Sequence, residues 1–359
     1  MAKKEGSLNE SVSKAIKGSF NLDSFLKGKN LSTSSIKMKN QRWIPLSQAF
    51  QDCLSIPGIP MGHITLLRGH SDTGKTTALL EAAVSCQKMG VLPVFIITEM
   101  KWSWEHAIQM GLKVEEVVDK ETGELVDYSG FFIYVDRERL QCIEDVAAFI
   151  ADLLDEQKKG NLPYDLCFFW DSVGSIPCRL SIESNKNNNE WNAGAMSQQF
   201  GNFINQKIVL SRKESQQYTN TLVAVNKIWV AKPENIMGQP RMANKGGNTM
   251  YFDSSLVVTF GNVSSSGTNK IKATKNTKEV EFAKRTKIGV DKNHVNDVTS
   301  VGKIIMTAHG FIDDDKKAID LYKKDHSQDW LKTLGSTDFD IVVETDAEAK
   351  DYFDPAEAE

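Results

Sequence analysis

With 359 residues, 40% of them hydrophobic and 25% charged, the chain has room for one large α/β core of roughly 250 residues plus terminal additions. Its 24 Gly and 9 Pro exclude a collagen-like or low-complexity protein. No apolar run reaches the roughly 18 residues that a membrane helix needs. The polar opening Met1-Ala2-Lys3-Lys4-Glu5-Gly6 has neither an apolar segment nor a small-residue cleavage site, so a cytoplasmic chain with no membrane partner is expected.

The five cysteines (Cys53, Cys86, Cys142, Cys167, Cys178) are odd in number, widely spaced and free of any C-x-x-C, which argues for reduced structural thiols over a disulfide frame or zinc site. The net charge of −4 is unevenly spread. Residues 336–359 carry nine acids against Lys350, a balance of −8, which leaves +4 on residues 1–335. Within that body, residues 1–42 hold nine Lys/Arg against three acids, and residues 270–292 hold eight against three. Such segregation suggests a polyanion partner for the body and a detachable acidic tail. A solvated surface with a loose terminus explains any one of these features as well, and their coincidence less well.

Residues 1–42 are rich in Ser, Lys and Asn and carry a short amphipathic pattern (Val12, Ile16, Phe20, then Phe25 and Leu26), read as one or two small helices on an arm. From Arg42 the pattern changes to apolar runs alternating with helical stretches. Strands are predicted at 64–67, 94–98, 131–135, 166–170, 221–225 and 256–259, and helices at 75–89, 103–110, 143–157 and 196–215. Strand, helix, strand at this spacing means a parallel sheet with crossover helices. Two stretches without periodicity, 175–192 and 229–249, read as long loops leaving strand ends, and long loops in a compact domain are functional candidates.

The strongest chemical signal is Gly69-His70-Ser71-Asp72-Thr73-Gly74-Lys75-Thr76, a full G-x-x-x-x-G-K-[ST] between a predicted strand and a predicted helix, followed by Thr77. The glycines permit a tight loop whose amides face the phosphates of a nucleotide. Lys75 adds a cation there and Thr76 offers its hydroxyl to Mg²⁺, at a helix N-terminus whose dipole favours anions. The bland alternative is a glycine-rich turn. The apolar run Leu166-Cys167-Phe168-Phe169-Trp170 ends in Asp171, a carboxylate suited to the magnesium water shell. A second acid, Glu99, ends Val94-Phe95-Ile96-Ile97-Thr98, where open α/β sheets place their ligand crevice. It is the candidate general base, unless it is a first-turn helix acid held by the dipole.

These residues carry a resemblance. Leu46 to Thr77, with Ile59-Pro60-Met61-Gly62-His63-Ile64 leading into the P-loop, then Thr98-Glu99, Trp170-Asp171-Ser172, Val225-Asn226-Lys227 and Lys245-Gly246-Gly247-Asn248, together resemble the RecA-type recombinases. The order and spacing match over residues 44–312, and the shape of the chain is most similar to phage recombinases of the UvsX kind. The resemblance implies an α/β fold: a RecA-like P-loop ATPase core with a mostly parallel central sheet flanked by helices (43–312), a short N-terminal oligomerisation arm (1–42), and a small C-terminal region with an acidic tail (313–359). It also implies ATP and Mg²⁺ as cofactors, DNA-dependent hydrolysis, and a filament on single-stranded DNA that exchanges strands with a homologous duplex in recombination, repair and replication. Partners are single- and double-stranded DNA, further copies in a helical filament or ring, and a single-strand-binding protein or loader. The host cytoplasm follows if the chain is phage-encoded.

Residue by residue, the resemblance assigns Gly69 through Thr77 to the nucleotide, Glu99 to catalysis with Lys75, and Thr76 and Asp171 to magnesium through water. His106 falls where the family has an aromatic that stacks on adenine, though a surface-helix histidine reads equally well. Asn226-Lys227 sits where the family reads Asn-Gln, a pair that senses the γ-phosphate and moves the following DNA loop. Lys227 departs from that pattern, because a cation contacts phosphate and cannot accept a hydrogen bond. Arg285 and Lys287 fall where the family has paired cations that reach the neighbouring subunit's ATP, so that hydrolysis requires assembly; an exposed basic strand is the alternative.

The two predicted loops correspond to the family's DNA-binding loops. Arg179, Lys186 and Trp191 in the first, and Lys232, Arg241 and Lys245 in the second, supply cations and, with Met237, apolar or stacking surface. Gly246, Gly247 and Asn248 offer backbone amides to a phosphate. In this family the arm packs on the adjacent subunit, which makes Phe20 or Phe25 its apolar anchor. The rival readings are a RecA-fold hexameric DNA helicase, a weakly hydrolysing paralogue that regulates repair, and a small-molecule kinase. If the acidic tail competes with DNA for the basic body, deleting residues 336–359 raises affinity for single-stranded DNA at low salt; unchanged affinity across a salt titration removes that role.

Overall fold

Strands buried on both faces read in sequence as unbroken apolar runs, and the runs 92–97 and 166–171 are buried at every position. The computed structural model describes residues 22–29, 37–231, 241–244, 247–262, 269–275, 278–326 and 340–342. They fall into two units, residues 1–39 and 40–359. In the first lies helix α1 (Leu22–Gly28), with Lys27 in its last turn. Phe20, Val12 and Ile16, like Lys232, Met237, Lys245, Gly246 and most of the acidic tail, lie outside the described residues.

The second unit opens with β1 (Trp43–Pro45), α2 (Gln48–Leu54), β2 (Gly58–Pro60), β3 (Ile64–Gly69), α3 (Lys75–Met89), β4 (Leu92–Ile97) and α4 (Trp104–Gln109). A hairpin of β5 (Glu115–Val118) and β6 (Leu125–Ser129) precedes β7 (Ile133–Asp136), α5 (Ile143–Lys159) and β8 (Leu166–Asp171). Then come α6 (Arg179–Glu183), α7 (Asn189–Met196), a π-helical stretch (Ser197–Ile204) and α8 (Asn205–Leu210). The chain continues through β9 (Thr221–Ala231), β10 (Arg241–Asn244), α9 (Thr249–Asp253) and β11 (Leu256–Asn262). It ends in β12 (Lys270–Lys275), β13 (Lys278–Asn293), β14 (Val301–Thr307), β15 (Gly310–Asp313), α10 (Lys316–Asp325) and β16 (Asp340–Val342).

The main sheet runs β15-β14-β13-β11-β3-β9-β8-β4-β7. The block from β11 to β7 is parallel throughout, and the other members pair antiparallel at its rim. Alternate residues of each central strand point to opposite faces. Leu67, Phe95, Phe169 and Val225 join α3 in one core, while Leu66, Ile96, Phe168 and Trp170 join α5 and the 196–208 helical run in the other. The five cysteines are free, and all but Cys53 are buried. No described helix is long and apolar enough to cross a membrane.

Three expectations change. Residues 175–192 are not a loop, because they hold α6 and the start of α7. Asn188, within the polar run, caps α7 by accepting from the Glu190 and Trp191 amides at 2.8 and 3.3 Å. Residues 229–249 are partly a hairpin, since β9 runs on to Ala231 and pairs with β10. The boundary at 312/313 falls inside β15, whose strand pairing with β14 ties it to the core sheet.

His63 fastens the entry to β3. Its Nδ1 lies 2.9 Å from Ser255 Oγ and its Nε2 lies 3.0 Å from Gln41 Oε1. Burial, reinforced by Arg212, lowers its pKa from 6.5 to about 4. The unfolded chain therefore takes up this proton first, so the stability is complete above pH 6.5 and is lost as pH falls toward 4. His63→Gln is expected to flatten the melting-temperature profile between pH 7.5 and 4.5; an unchanged profile would show that His63 does not carry it.

Candidate active site

The functional side chains stand at the carboxyl edge of the parallel block, where open α/β sheets bind ligands. Gly69 ends β3, opposite Lys227 on β9. Asp171 ends β8, opposite Val225 on one side and Ile97 of β4 on the other. Glu99 follows two residues after β4. Four segments that are far apart in sequence thus deliver a P-loop, a lysine and two carboxylates to one rim.

The P-loop is held open by its glycines and braced from outside. A side chain at Gly69 would place its Cβ 2.1 Å from the Phe260 carbonyl oxygen, and Gly74, at φ 103°, takes a left-handed turn. Thr73 Oγ1 donates to the His70 carbonyl at 2.8 Å, and the Lys75 ammonium donates to the same oxygen. Lys284 Nζ donates to the Asp72 carbonyl at 2.9 Å, and Thr286 Oγ1 to that of Thr73 at 2.9 Å. Behind the loop, Glu81 of α3 accepts from Ser47 N and Oγ and from Phe311 N, at 2.8 to 3.0 Å. The sequence reading did not single out Glu81, Lys284 or Thr286.

The cleft is lined by Ser71, Asp72, Lys75, Thr76, Glu99, His106, Asp171 and Lys227, among others. Thr76 Oγ1 donates to Asp171 Oδ2 at 2.9 Å. Burial pushes the Asp171 pKa up, against the Thr76 hydrogen bond and the Lys75 and Lys227 charges. Burial also lowers Lys75 to about 8, with Asp171 drawing it back up. Glu99 shows the opposite balance: burial alone would raise its pKa, yet Lys227, Lys101 and Ser172 hold it below the ordinary value. Lys227 pairs with Glu99 Oε1, Lys101 lies 3.8 Å from the same oxygen, and Ser172 Oγ donates to Oε2 at 3.3 Å. Glu99 lies well before α4, so it is not a first-turn helix acid. His106, within α4, has its pKa lowered by burial.

The donor set suits magnesium. A hydroxyl and a carboxylate stand side by side, and hard oxygen ligands with one carboxylate plus substrate phosphates are what Mg²⁺ takes. Asn226, next to Lys227, is buried.

The other described candidates do not line this cleft. Arg285 is 8% exposed and Lys287 9%, so neither forms an exposed basic strand. Arg285 Nε donates to both oxygens of Asp314, at 2.7 and 2.8 Å, within the same chain. Arg179 Nη2 is 2.6 Å from Asp145 Oδ1 on α5. Lys186 is exposed, whereas Trp191 is partly buried and packs against the core. Leu180 and Ile182 of α6 are exposed apolar residues that the sequence reading missed. Gly247 and Asn248 lie just beyond β10, and Asn248 Oδ1 accepts from Asn244 Nδ2 at 3.0 Å. Arg241 belongs to β10.

Residues 9–152 match the model of the RecA N-terminal domain. Three proteins called Protein RecA, from Legionella pneumophila strain Corby, from strain Lens and from the species without a strain designation, are each 38% identical over 73 residues. That stretch is 20% of this chain and 21% of theirs, so the chain aligns with about a fifth of the length of these relatives. Both matches support the RecA family, and the largely parallel sheet with flanking helices fits its α/β core.

If this cleft turns over ATP on DNA, Lys75→Ala, which removes the only P-loop ammonium, lowers turnover by more than about 100-fold while leaving measurable DNA binding. Phosphate release and filter retention on one preparation check both; retained turnover would overturn the P-loop assignment.

Proposed function

We propose that the chain is an ATP-dependent strand-exchange protein, closest in character to phage recombinases of the UvsX kind. It coats single-stranded DNA as a filament, pairs it with a homologous duplex, and hydrolyses ATP between subunits. The observation that carries this reading is the shared rim. Lys75, Thr76, Asp171 and Glu99 line one cleft with Lys227, and Lys227 sits directly before the β9–β10 hairpin, the position of the second DNA segment.

In this reading Lys75 and the P-loop amides hold the phosphates, and Thr76 with Asp171 holds the magnesium water shell. Magnesium supplies neutralisation of phosphate charge. Glu99 takes the proton from the attacking water, and His106 lies against the base. Arg285 and Lys287 act on a neighbouring subunit's site, for which Arg285 must exchange its Asp314 partner for phosphate. Arg179, Lys186, Lys232, Arg241, Lys245 and the Gly246-Gly247-Asn248 backbone hold DNA phosphates without reading sequence. A single-strand-binding protein or loader completes the partner set, in the cytoplasm of a host.

One observation favours a second reading. A carboxylate neutralised by Lys227 is a weaker base, which suits a slowly hydrolysing regulator of recombination. Negative-stain microscopy with single-stranded DNA, Mg²⁺ and a slowly hydrolysed ATP analogue is the test. Extended helical filaments that vanish without nucleotide are expected. Closed six-membered rings would favour a helicase, and bare DNA the regulator.

A further inference from the structure

Lys227 lies on β9 and Glu99 just beyond the end of β4, with β8 between the two strands. The Glu99 backbone is fastened to β8, because the Thr98 and Glu99 amides both donate to the Asp171 carbonyl, at 2.8 and 3.2 Å. Its side chain reaches past β8 to β9, where the Lys227 ammonium takes Oε1 while Ser172 holds Oε2. Both carboxylate oxygens are engaged. The pair is sheltered, with side-chain exposures of 31% for Lys227 and 20% for Glu99, so solvent and salt screen it less than a surface pair.

Lys227 is also the last residue before the hairpin. Ile228 opens the β9–β10 pairing opposite Asn244. The Asn244 carbonyl accepts from the Gly247 amide at 3.4 Å, and its side chain meets Asn248 at 3.0 Å and Arg68 at 3.5 Å. A continuous path of bonds and contacts therefore leads from Glu99 through Lys227 and Ile228 to Asn244, Gly247 and Asn248.

We propose that the Glu99–Lys227 ion pair is a latch that withholds the catalytic carboxylate and, at the same time, pins the base of the β9–β10 hairpin. The first half rests on the reading of Glu99 as the hydrolytic base; the second does not. A general base needs an accessible lone pair, and both oxygens of this carboxylate are already engaged, one by an ammonium and one by a hydroxyl. The latch opens when Lys227 gains another anion or when β9 shifts, so turnover and hairpin position are set together. Lys101, 72% exposed, can neutralise Glu99 without tying it to β9.

The test is hydrogen exchange of the full chain without nucleotide, read at amides 228–231 and 241–244, for Glu99→Gln, Lys227→Gln, the double variant and Lys227→Arg. ATP turnover is followed on the same proteins with and without single-stranded DNA. Each single Gln variant is expected to speed exchange at these amides by about threefold or more. The double variant goes no further, since a broken pair cannot be broken twice, and Lys227→Arg keeps native exchange. Lys227→Gln also raises DNA-independent turnover by about threefold or more, bringing the ratio of turnover with and without DNA toward one. Native exchange in both single variants, or effects that add in the double, overturns the latch. Native turnover in Glu99→Gln overturns the base assignment alone, and the exchange criterion still decides the pinning. Should Lys227→Gln fail to fold, Glu99→Gln opens the pair from its other side and is judged by the same exchange.

Discussion

Two ammonium groups, Lys75 and Lys227, and two carboxylates, Glu99 and Asp171, stand together at the rim of the sheet, partly withdrawn from water. An unpaired charge in such a place is costly, whereas opposite charges at close range offset much of that cost. Each of the four depends on the others: Asp171 draws the Lys75 pKa up against burial, and Lys227 draws that of Glu99 down. A ligand that enters with negative charge has to re-pair the set, because every member already has an opposite charge beside it.

The scaffold exists to hold that set still. Four parallel strands bring one member each to the same rim, Lys75 after β3, Glu99 after β4, Asp171 at the end of β8 and Lys227 within β9, and the apolar cores on both faces leave the strands little freedom to slide. The Glu81 carboxylate ties the P-loop helix to Ser47 and Phe311, so the helix is anchored within two turns of the loop. Lys284 and Thr286 hold the loop's own carbonyls from the outside. The loop is therefore shaped by contacts on both sides.

Local features of this fold were legible from sequence. The P-loop, the helix 75–89 and the strands ending near Glu99 and Asp171 show themselves because glycine spacing and unbroken apolar runs are short-range signals. Features that depend on register were not. Arg285 reads as a free cation, and its pairing with Asp314 appears only once β13, β14 and β15 are aligned. The Asn-rich segment reads as loop because polarity is all the pattern shows, although Asn188 is there as a helix cap. Trp191 reads as a stacking surface, yet its ring serves the core. The Lys227–Glu99 pair joins β9 to the segment after β4, across the intervening β8, which no local pattern encodes.

Strand β13 carries two different jobs on alternate residues. Lys284 and Thr286 face the chain's own P-loop, while Arg285 turns to Asp314 on the other side. Because side chains alternate along a strand, a shift by one residue would exchange the two sets wholesale. Inserting or deleting one residue between 278 and 284 inverts any register it propagates into, unless a bulge absorbs the change, as β13 already does opposite Ile271/Lys272 and opposite Val257/Val258. Parity along this strand is therefore kept by where its bulges sit.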